Sequence, residues 1–232
     1  RYRRKGGGRD YSPEWERSTK LEWIIWGVPV LIVAALAVFV WVRTHQLDPY
    51  RELGGPGEPV EIQVIALDWK WLFIYPEEGI ASVNEMAIPV GRPVNLKLTS
   101  GTVMQSFHVP KLAGQIYTMA GMTTELSLRA DRVGTYRGRN TQYNGDGFAK
   151  QQFDVEALPA ARFDAWVAQA QASGRTLDES GFLALAEPST AAAPSYYGSL
   201  APEMFGKILD LSTRADGSLG ASPRHRNAEA AQ

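Results

Sequence analysis

The chain has 232 residues, a formal net charge of -1 and no cysteine. That charge gives no basis for binding nucleic acid or an acidic substrate, and the missing cysteines exclude disulfides, thiolate-bound metals and a cysteine nucleophile. The three histidines, His45, His108 and His225, are scattered, which argues against a multi-histidine metal site.

The chain opens RYRRKGGGR, which does not read as a natural start and implies a leading segment ahead of it. Trp23 to Val42, WIIWGVPVLIVAALAVFVWV, is a run of twenty uncharged residues. At about 1.5 Å per residue it spans a hydrocarbon core of roughly 30 Å. Gly27 and Pro29 are tolerated in such a helix, and Trp23, Trp26 and Trp41 mark its ends as interfacial aromatics do. Arg1, Arg3, Arg4, Lys5, Arg9, Arg17 and Lys20 precede the run, against Arg43 and Arg51 just after it. The positive-inside rule therefore puts residues 1–20 in the cytoplasm and the region after about 44 outside.

Residues 48–59, DPYRELGGPGEP, read as a linker. Short β-prone runs follow at Val60–Leu67, Trp69–Tyr75, Val94–Leu98, Thr123–Leu128 and Gln151–Val155, punctuated by Gly, Pro, Asn and Asp. Their spacing predicts a β-sandwich or barrel. Trp69, Trp71, Phe73 and Tyr75 alternate with Lys70, Leu72 and Ile74, so the aromatics share one strand face. Phe163, Trp166, Val167 and Ala170 have the spacing of an amphipathic helix. Further helices are predicted over Asp178–Ala186 and from Pro202 to about Leu211, with a loop at PSTAAAPS and a disordered polar tail from about Asp216. There is no internal repeat.

A basic turn, a membrane helix opening Lys20-Leu21-Glu22 and a β domain resemble subunit II of the haem–copper oxidases, over residues 1–212. The resemblance is closest to the quinol-oxidising branch, the cytochrome bo-type ubiquinol oxidases. The segments that carry it are DWKWLFIYPEEGIASVNE (68–85), PVNLKLTSGTVMQSFHVPKLAGQIYTMAGM (93–122) and GTYRGRNTQYNGDGF (134–148). It implies a membrane-anchored all-β chain: a transmembrane helix, a cupredoxin-like β-sandwich and a short helical C-terminal extension. The divisions are 1–20 cytoplasmic turn, 21–43 membrane helix, 44–58 linker, 59–158 periplasmic cupredoxin-like domain, 159–212 helical extension and 213–232 disordered tail. It also implies a first transmembrane helix and a lipoprotein-type signal before Arg1.

The cytochrome c-oxidising branch holds a dinuclear copper with a His before a Ser-aromatic pair and a Cys-x-x-x-Cys-x-x-x-His-x-x-Met loop, the thiolates being essential to the metal pair. In this chain Gln105 stands at the first His, Asn140 and Asn144 at the cysteines, Phe148 at the second His and Gln151 at the Met. Gln142 replaces the Glu between the cysteines. These are degenerate ligand positions, and no metal is expected on this chain. His108 next to them has two readings, a metal ligand or a structural or surface imidazole, and a lone imidazole favours the second. Met119 and Met122 read as core filler rather than copper ligands.

Glu22 lies in Leu21-Glu22-Trp23-Ile24-Ile25-Trp26-Gly27-Val28-Pro29. In the family a Glu at this place stands at a proton-uptake entrance to subunit I; otherwise it is a solvated carboxylate beside Arg17 and Lys20. The aromatic stripe is either a remnant of an electron-receiving patch or plain sandwich core and docking surface. The implied function is that of a copper-free subunit II in a proton-pumping oxidase of the bacterial inner membrane, taking ubiquinol and O2 to ubiquinone and water. The implied partners are subunit I, which carries the haems, one copper and the quinol site, subunits III and IV, and the lipid bilayer. A copper-free, membrane-anchored periplasmic binding module is the alternative.

Overall fold

The computed structural model describes residues 17–48, 53–190 and 193–213. The chain divides into two compact units, 1–48 and 49–232, each described by itself. The first is a single helix, α1 (Thr19–Gln46), 28 residues long with no buried residue. It is apolar and long enough to cross a membrane, with a mean hydropathy of 2.6 over its best window. The helix outruns the uncharged run at both ends, because Lys20, Glu22, Arg43 and His45 are compatible with helix once outside an apolar layer. At the C-terminal end His45 donates through Nδ1 to the Trp41 carbonyl at 2.9 Å, and Arg43 lies over the Phe39 ring at 5.4 Å.

The second unit is a sandwich. Its strands are β1 (Val60–Leu67), β2 (Lys70–Tyr75), β3 (Ile80–Val83), β4 (Glu85–Pro89), β5 (Val94–Ser100), β6 (Gln105–His108), β7 (Gln115–Thr118), β8 (Thr124–Leu128), β9 (Gly134–Asn140) and β10 (Gln152–Leu158). After these come α2 (Ala160–Gln171), β11 (Thr176–Leu177), α3 (Glu179–Ala186), β12 (Ser195–Tyr197), β13 (Ser199–Leu200) and α4 (Met204–Thr213). One sheet runs β12-β3-β2-β1-β5-β8 and the other β4-β10-β9-β6-β7. Each contains one parallel pair, β1 with β5 and β10 with β4, and is otherwise antiparallel. Two such sheets facing each other give the cupredoxin-like sandwich.

The core between the sheets is built from one face of β1 (Val60, Ile62, Val64, Ala66), Trp71, Phe73 and Tyr75 of β2, and Phe107, Phe153 and Val155 of the opposite sheet. Trp71, Phe107 and Phe153 form an aromatic knot with centroids 5.0–5.4 Å apart. Tyr75 ties the sheets: its hydroxyl donates to the Ala87 carbonyl at 3.0 Å and accepts from the Ala87 N–H at 2.9 Å. The aromatic stripe is therefore core for three of its four members. Trp69 leaves it, because the chain turns at Asp68-Trp69 before β2 begins.

The other face of β1 and β2 is also buried. Ile65, Leu67, Leu72 and Ile74 pack against Leu177, Phe182, Tyr197, Met204, Ile208 and Leu211 of the C-terminal extension. This second cover explains why VEIQVIAL ends in four buried residues instead of alternating. The helices of the extension follow the sequence pattern: α2 buries Phe163, Val167 and Ala170, and α3 is capped by Asp178, whose carboxylate accepts from the Gly181 N–H at 2.7 Å. Two differences stand out. The extension also carries strands, β12 joining the edge of the larger sheet and β11 pairing with β13. And α4 starts at Met204 rather than Pro202, because Glu203 sits at φ 56°, outside the helical region. The polar tail and the basic stretch 1–16 lie outside the described residues.

Gly138 in β9 sits beneath the Phe153 ring, where any added Cβ would run into the ring carbons. Gly138→Ala is expected to destabilise the sandwich by about 1–3 kcal/mol through overpacking. Thermal or urea unfolding of the purified variant against wild type measures this, and an unchanged midpoint would contradict the packing described.

Candidate functional site

At one end of the sandwich the loop between β9 and β10 closes back on itself. Asn140 ends β9, residues 141–147 form the loop, and a short 3-10 turn over Phe148–Lys150 returns the chain to Gln151. The closure is made by backbone, with Asn140 N–H to the Gln151 carbonyl at 3.1 Å and Thr141 N–H to the Ser106 carbonyl at 3.2 Å.

Four carboxamides meet inside this loop, and Gln151, with 0% exposure, is at the centre. Its Nε2 donates to Gln105 Oε1 at 2.5 Å and to the Leu67 carbonyl at 3.0 Å. Its Oε1 accepts from Asn140 Nδ2 and Asn144 Nδ2, both at 2.9 Å. Two donor protons and two acceptor positions are thus all used, which is the full capacity of a carboxamide. Asn140 Oδ1 in turn accepts from the Ser106 and Gln142 N–H groups at 2.9 Å each.

The chain of bonds continues inward. Gln105 Nε2 donates to Thr102 Oγ1 at 3.2 Å, and Thr102 Oγ1 donates to Asp68 Oδ1 at 3.0 Å. Asp68 is 7% exposed, and burial raises its pKa, opposed by the Thr102 bond and the charge of Lys70. Lys70 is itself buried, which lowers its pKa, and it donates to the Glu187 carbonyl at 2.8 Å and to Ser189 Oγ at 2.5 Å. Ser189 also exchanges backbone bonds with Asp68 and Trp69. The amide cluster is therefore coupled through Asp68 to the segment that leads out of α3.

The structure brings together Gln105, Asn140, Asn144 and Gln151 by their side chains and Gln142 by its backbone. Phe148 does not join them; its ring lies against Tyr143 at 5.7 Å. His108 ends β6 between Gln115 and Arg139, half-buried, with Nδ1 lacking a hydrogen-bond partner and outside the amide cluster. Met122, expected in the core, is 52% exposed because it lies on a turn after β7. Trp69, Asp68 and Thr102 complete the site, and sequence reasoning missed their part in it. Trp69 donates through Nε1 to the Asn144 carbonyl at 3.1 Å and covers Gly145 and Gly147. The sequence signals available for that contact were the Asp68 that precedes Trp69 at the start of the stripe and the glycine pair Gly145 and Gly147 in the loop.

This donor set does not fit a dinuclear copper. It offers neutral carboxamides already bonded to one another and no thiolate, and copper of that kind needs soft anionic ligands. Among the described residues no three His, Cys, Asp or Glu side chains gather as a metal site. Glu22 stands in the first turn of α1, 3.5 Å from Arg17 Nε, with its side chain 43% exposed.

Residues 171–211 match the family described as COX Aromatic Rich Motif. Over 228 residues the chain is 44% identical to the cytochrome bo(3) ubiquinol oxidase subunit 2 of Pseudomonas putida, covering 98% of this chain and 72% of that protein. It is 43% identical over 210 residues to the ubiquinol oxidase subunit 2 of Acetobacter aceti, covering 90% and 68%. Among solved structures, the periplasmic domain of cytochrome oxidase subunit II from Bradyrhizobium japonicum aligns with a TM-score of 0.48 at 22% identity, over 51% of this chain and 98% of that one.

Asp68 makes a prediction with a definite sign. Its raised pKa means that the fold prefers the neutral acid, so its contribution to stability is present below the unfolded pKa and is lost as pH rises through the folded value. Asp68→Asn keeps an acceptor for Thr102 without the charge. The stability of the variant relative to wild type should therefore rise as pH increases from about 4 toward neutrality. Unfolding curves across that range test it, and a difference independent of pH would refute the assignment.

Proposed function

The chain belongs to the subunit 2 family of the cytochrome bo(3) ubiquinol oxidases, part of an oxidoreductase complex, and from that premise we propose what it does there. It is the copper-free subunit of a proton-pumping terminal oxidase. It stabilises subunit I and contributes Glu22 as a carboxylate at a proton-uptake entrance. The oxidase takes ubiquinol and O2 to ubiquinone and water in the bacterial inner membrane. The haems, the one copper and the quinol site are assigned to subunit I, and subunits III and IV are further partners. The β domain is assigned to the periplasmic side on the charge bias around α1.

The observation that carries the reading is the amide cluster at the positions Gln105, Asn140, Asn144 and Gln151, in which the central Gln151 is fully hydrogen-bonded. A loop that elsewhere in the wider family holds an electron-receiving metal is here held shut by hydrogen bonds. A lipid-soluble electron donor supplies the physical reason, since it reaches the membrane-embedded centres without an outer relay. On the correspondence proposed here, Gln142 and Phe148 occupy the remaining former ligand positions without taking part in the side-chain cluster. The loop should then keep its fold with no metal at all. The purified chain is expected to melt at the same temperature with copper and with chelator, because nothing that binds only the native state is present. A copper-dependent rise of several degrees would overturn the reading.

For Glu22 the support is its place: a carboxylate in the first turn of α1, next to the uncharged run that starts at Trp23, and open enough to meet solvent. Such a group collects protons from bulk water and hands them to a polar neighbour in a partner subunit. Glu22→Gln keeps shape and hydrogen bonding and removes the titrating proton. In the assembled oxidase it should lower turnover several-fold at unchanged haem content, with partial recovery in Glu22→Asp; about 1.4 kcal/mol of lost barrier stabilisation already gives tenfold. Full turnover in the assembled Glu22→Gln enzyme would reject the role. A chain that purifies from detergent without haem or partner subunits would instead favour the membrane-anchored binding module.

A further inference from the structure

We propose that Asn144 is a latent deamidation site, an asparagine–glycine pair that the fold keeps closed through Gln151 and that converts to aspartate or isoaspartate once this bond is lost. Asn144-Gly145 is the one Asn-Gly pair in the sequence. Glycine after asparagine favours the reaction because no side chain shields the attacking nitrogen. The fold also holds this glycine in place: Gly145 has φ +108°, and a Cβ there would come within 3.3 Å of the Trp69 ring.

The chemistry needs only water. The Gly145 backbone nitrogen gives its proton to a solvent base and attacks Asn144 Cγ. A new N–Cγ bond forms, the Cγ–Nδ2 bond breaks, and ammonia leaves with a proton taken from water. Water then opens the cyclic imide at either carbonyl, leaving aspartate or isoaspartate at position 144. No oxidant, reductant or second substrate enters. Among the described residues the Gly145 N–H donates to no backbone carbonyl, so its use as nucleophile breaks no backbone bond of the fold.

Two contacts and one missing donor keep the pair closed. Asn144 Nδ2 is bonded to Gln151 Oε1 at 2.9 Å, which fixes the side chain. The Asn144 carbonyl is bonded by Trp69 Nε1 at 3.1 Å, which fixes the peptide. Asn144 Oδ1 is buried with no donor, so nothing polarises the Cγ carbonyl toward attack. Conversion would have a directional consequence. A carboxylate at 144 places acceptor against acceptor at Gln151 Oε1. Gln151 has no turn available in reply, because its Nε2 is committed to Gln105 and Leu67. The middle of the loop would then be released from the cluster.

The test uses the full chain in detergent, incubated in mildly alkaline buffer, with peptide mass mapping that separates asparagine, aspartate and isoaspartate at 144. Folded wild type should convert more than tenfold more slowly than the same chain unfolded in urea. Gln151→Leu, which removes the acceptor, should convert several-fold faster than folded wild type. Gln105→Leu, which removes a different partner of Gln151, should stay near the wild-type rate, and Gly145→Ala should suppress conversion in the unfolded chain. Equal acceleration by Gln105→Leu and Gln151→Leu would overturn the proposal, since general loosening would then suffice. A folded wild-type rate equal to the unfolded one would overturn it whatever the variants do, including a Gln151→Leu chain that fails to fold.

Discussion

The sandwich turns on the carboxamide of Gln151, where four hydrogen bonds meet on one fully buried side chain. Each such bond contributes about 0.5–1.5 kcal/mol net, but a buried amide left unpaired costs more than a bond yields. The constraint therefore works by exclusion. Gln105, Asn140 and Asn144 have one compatible arrangement around Gln151, and that arrangement sets where β6, the end of β9 and the loop can lie. A bound metal would fix a loop through its ligands. Here the same fixing is done by neutral groups bonded to one another, with Gln151 using its full hydrogen-bonding capacity and Asn144 Oδ1 left without a donor.

The second constraint is the double burial of the larger sheet. One face of β1 and β2 meets the opposite sheet, and the other meets the C-terminal extension. Lys70 is the pin between these layers. It is buried and donates to the Glu187 carbonyl and Ser189 Oγ. Asp68, two residues earlier, faces the amide cluster through Thr102. A single turn of chain thus connects the loop end of the sandwich to the extension, through one acid and one base that are both costly to bury.

Much of this was legible in the sequence, for reasons that differ by element. The uncharged run marked α1, and Asp178 marked the start of α3 because an N-cap carboxylate leaves a local trace. The long strands β1, β2, β5, β8 and β10 declared themselves by β-branched and aromatic residues. Strands β3, β4, β6, β7 and β9 did not. IASV, EMAIP, QSFH, QIYT and GTYRGRN are short or polar, and their pairing is decided by neighbours far away in the chain. The residues of the amide cluster were legible as a set through family resemblance. Their mutual bonds were not, since which oxygen meets which nitrogen depends on side-chain directions that spacing does not carry. Phe148 shows the limit, sharing the loop with the cluster while its ring turns to Tyr143.

The three residues of β12 lie against β3 in register Ser195 with Val83, Tyr196 with Ser82 and Tyr197 with Ala81. Without them β3 would be the outer strand of the larger sheet, short, apolar and with a row of open backbone donors and acceptors. Such an edge is a template for another molecule's strand. The extension, tied down by the Glu85 carboxylate that accepts from both Tyr196 and Trp166, occupies that template with a strand of its own chain. With that strand in place, β3 offers no open edge for the strand of a second chain to extend.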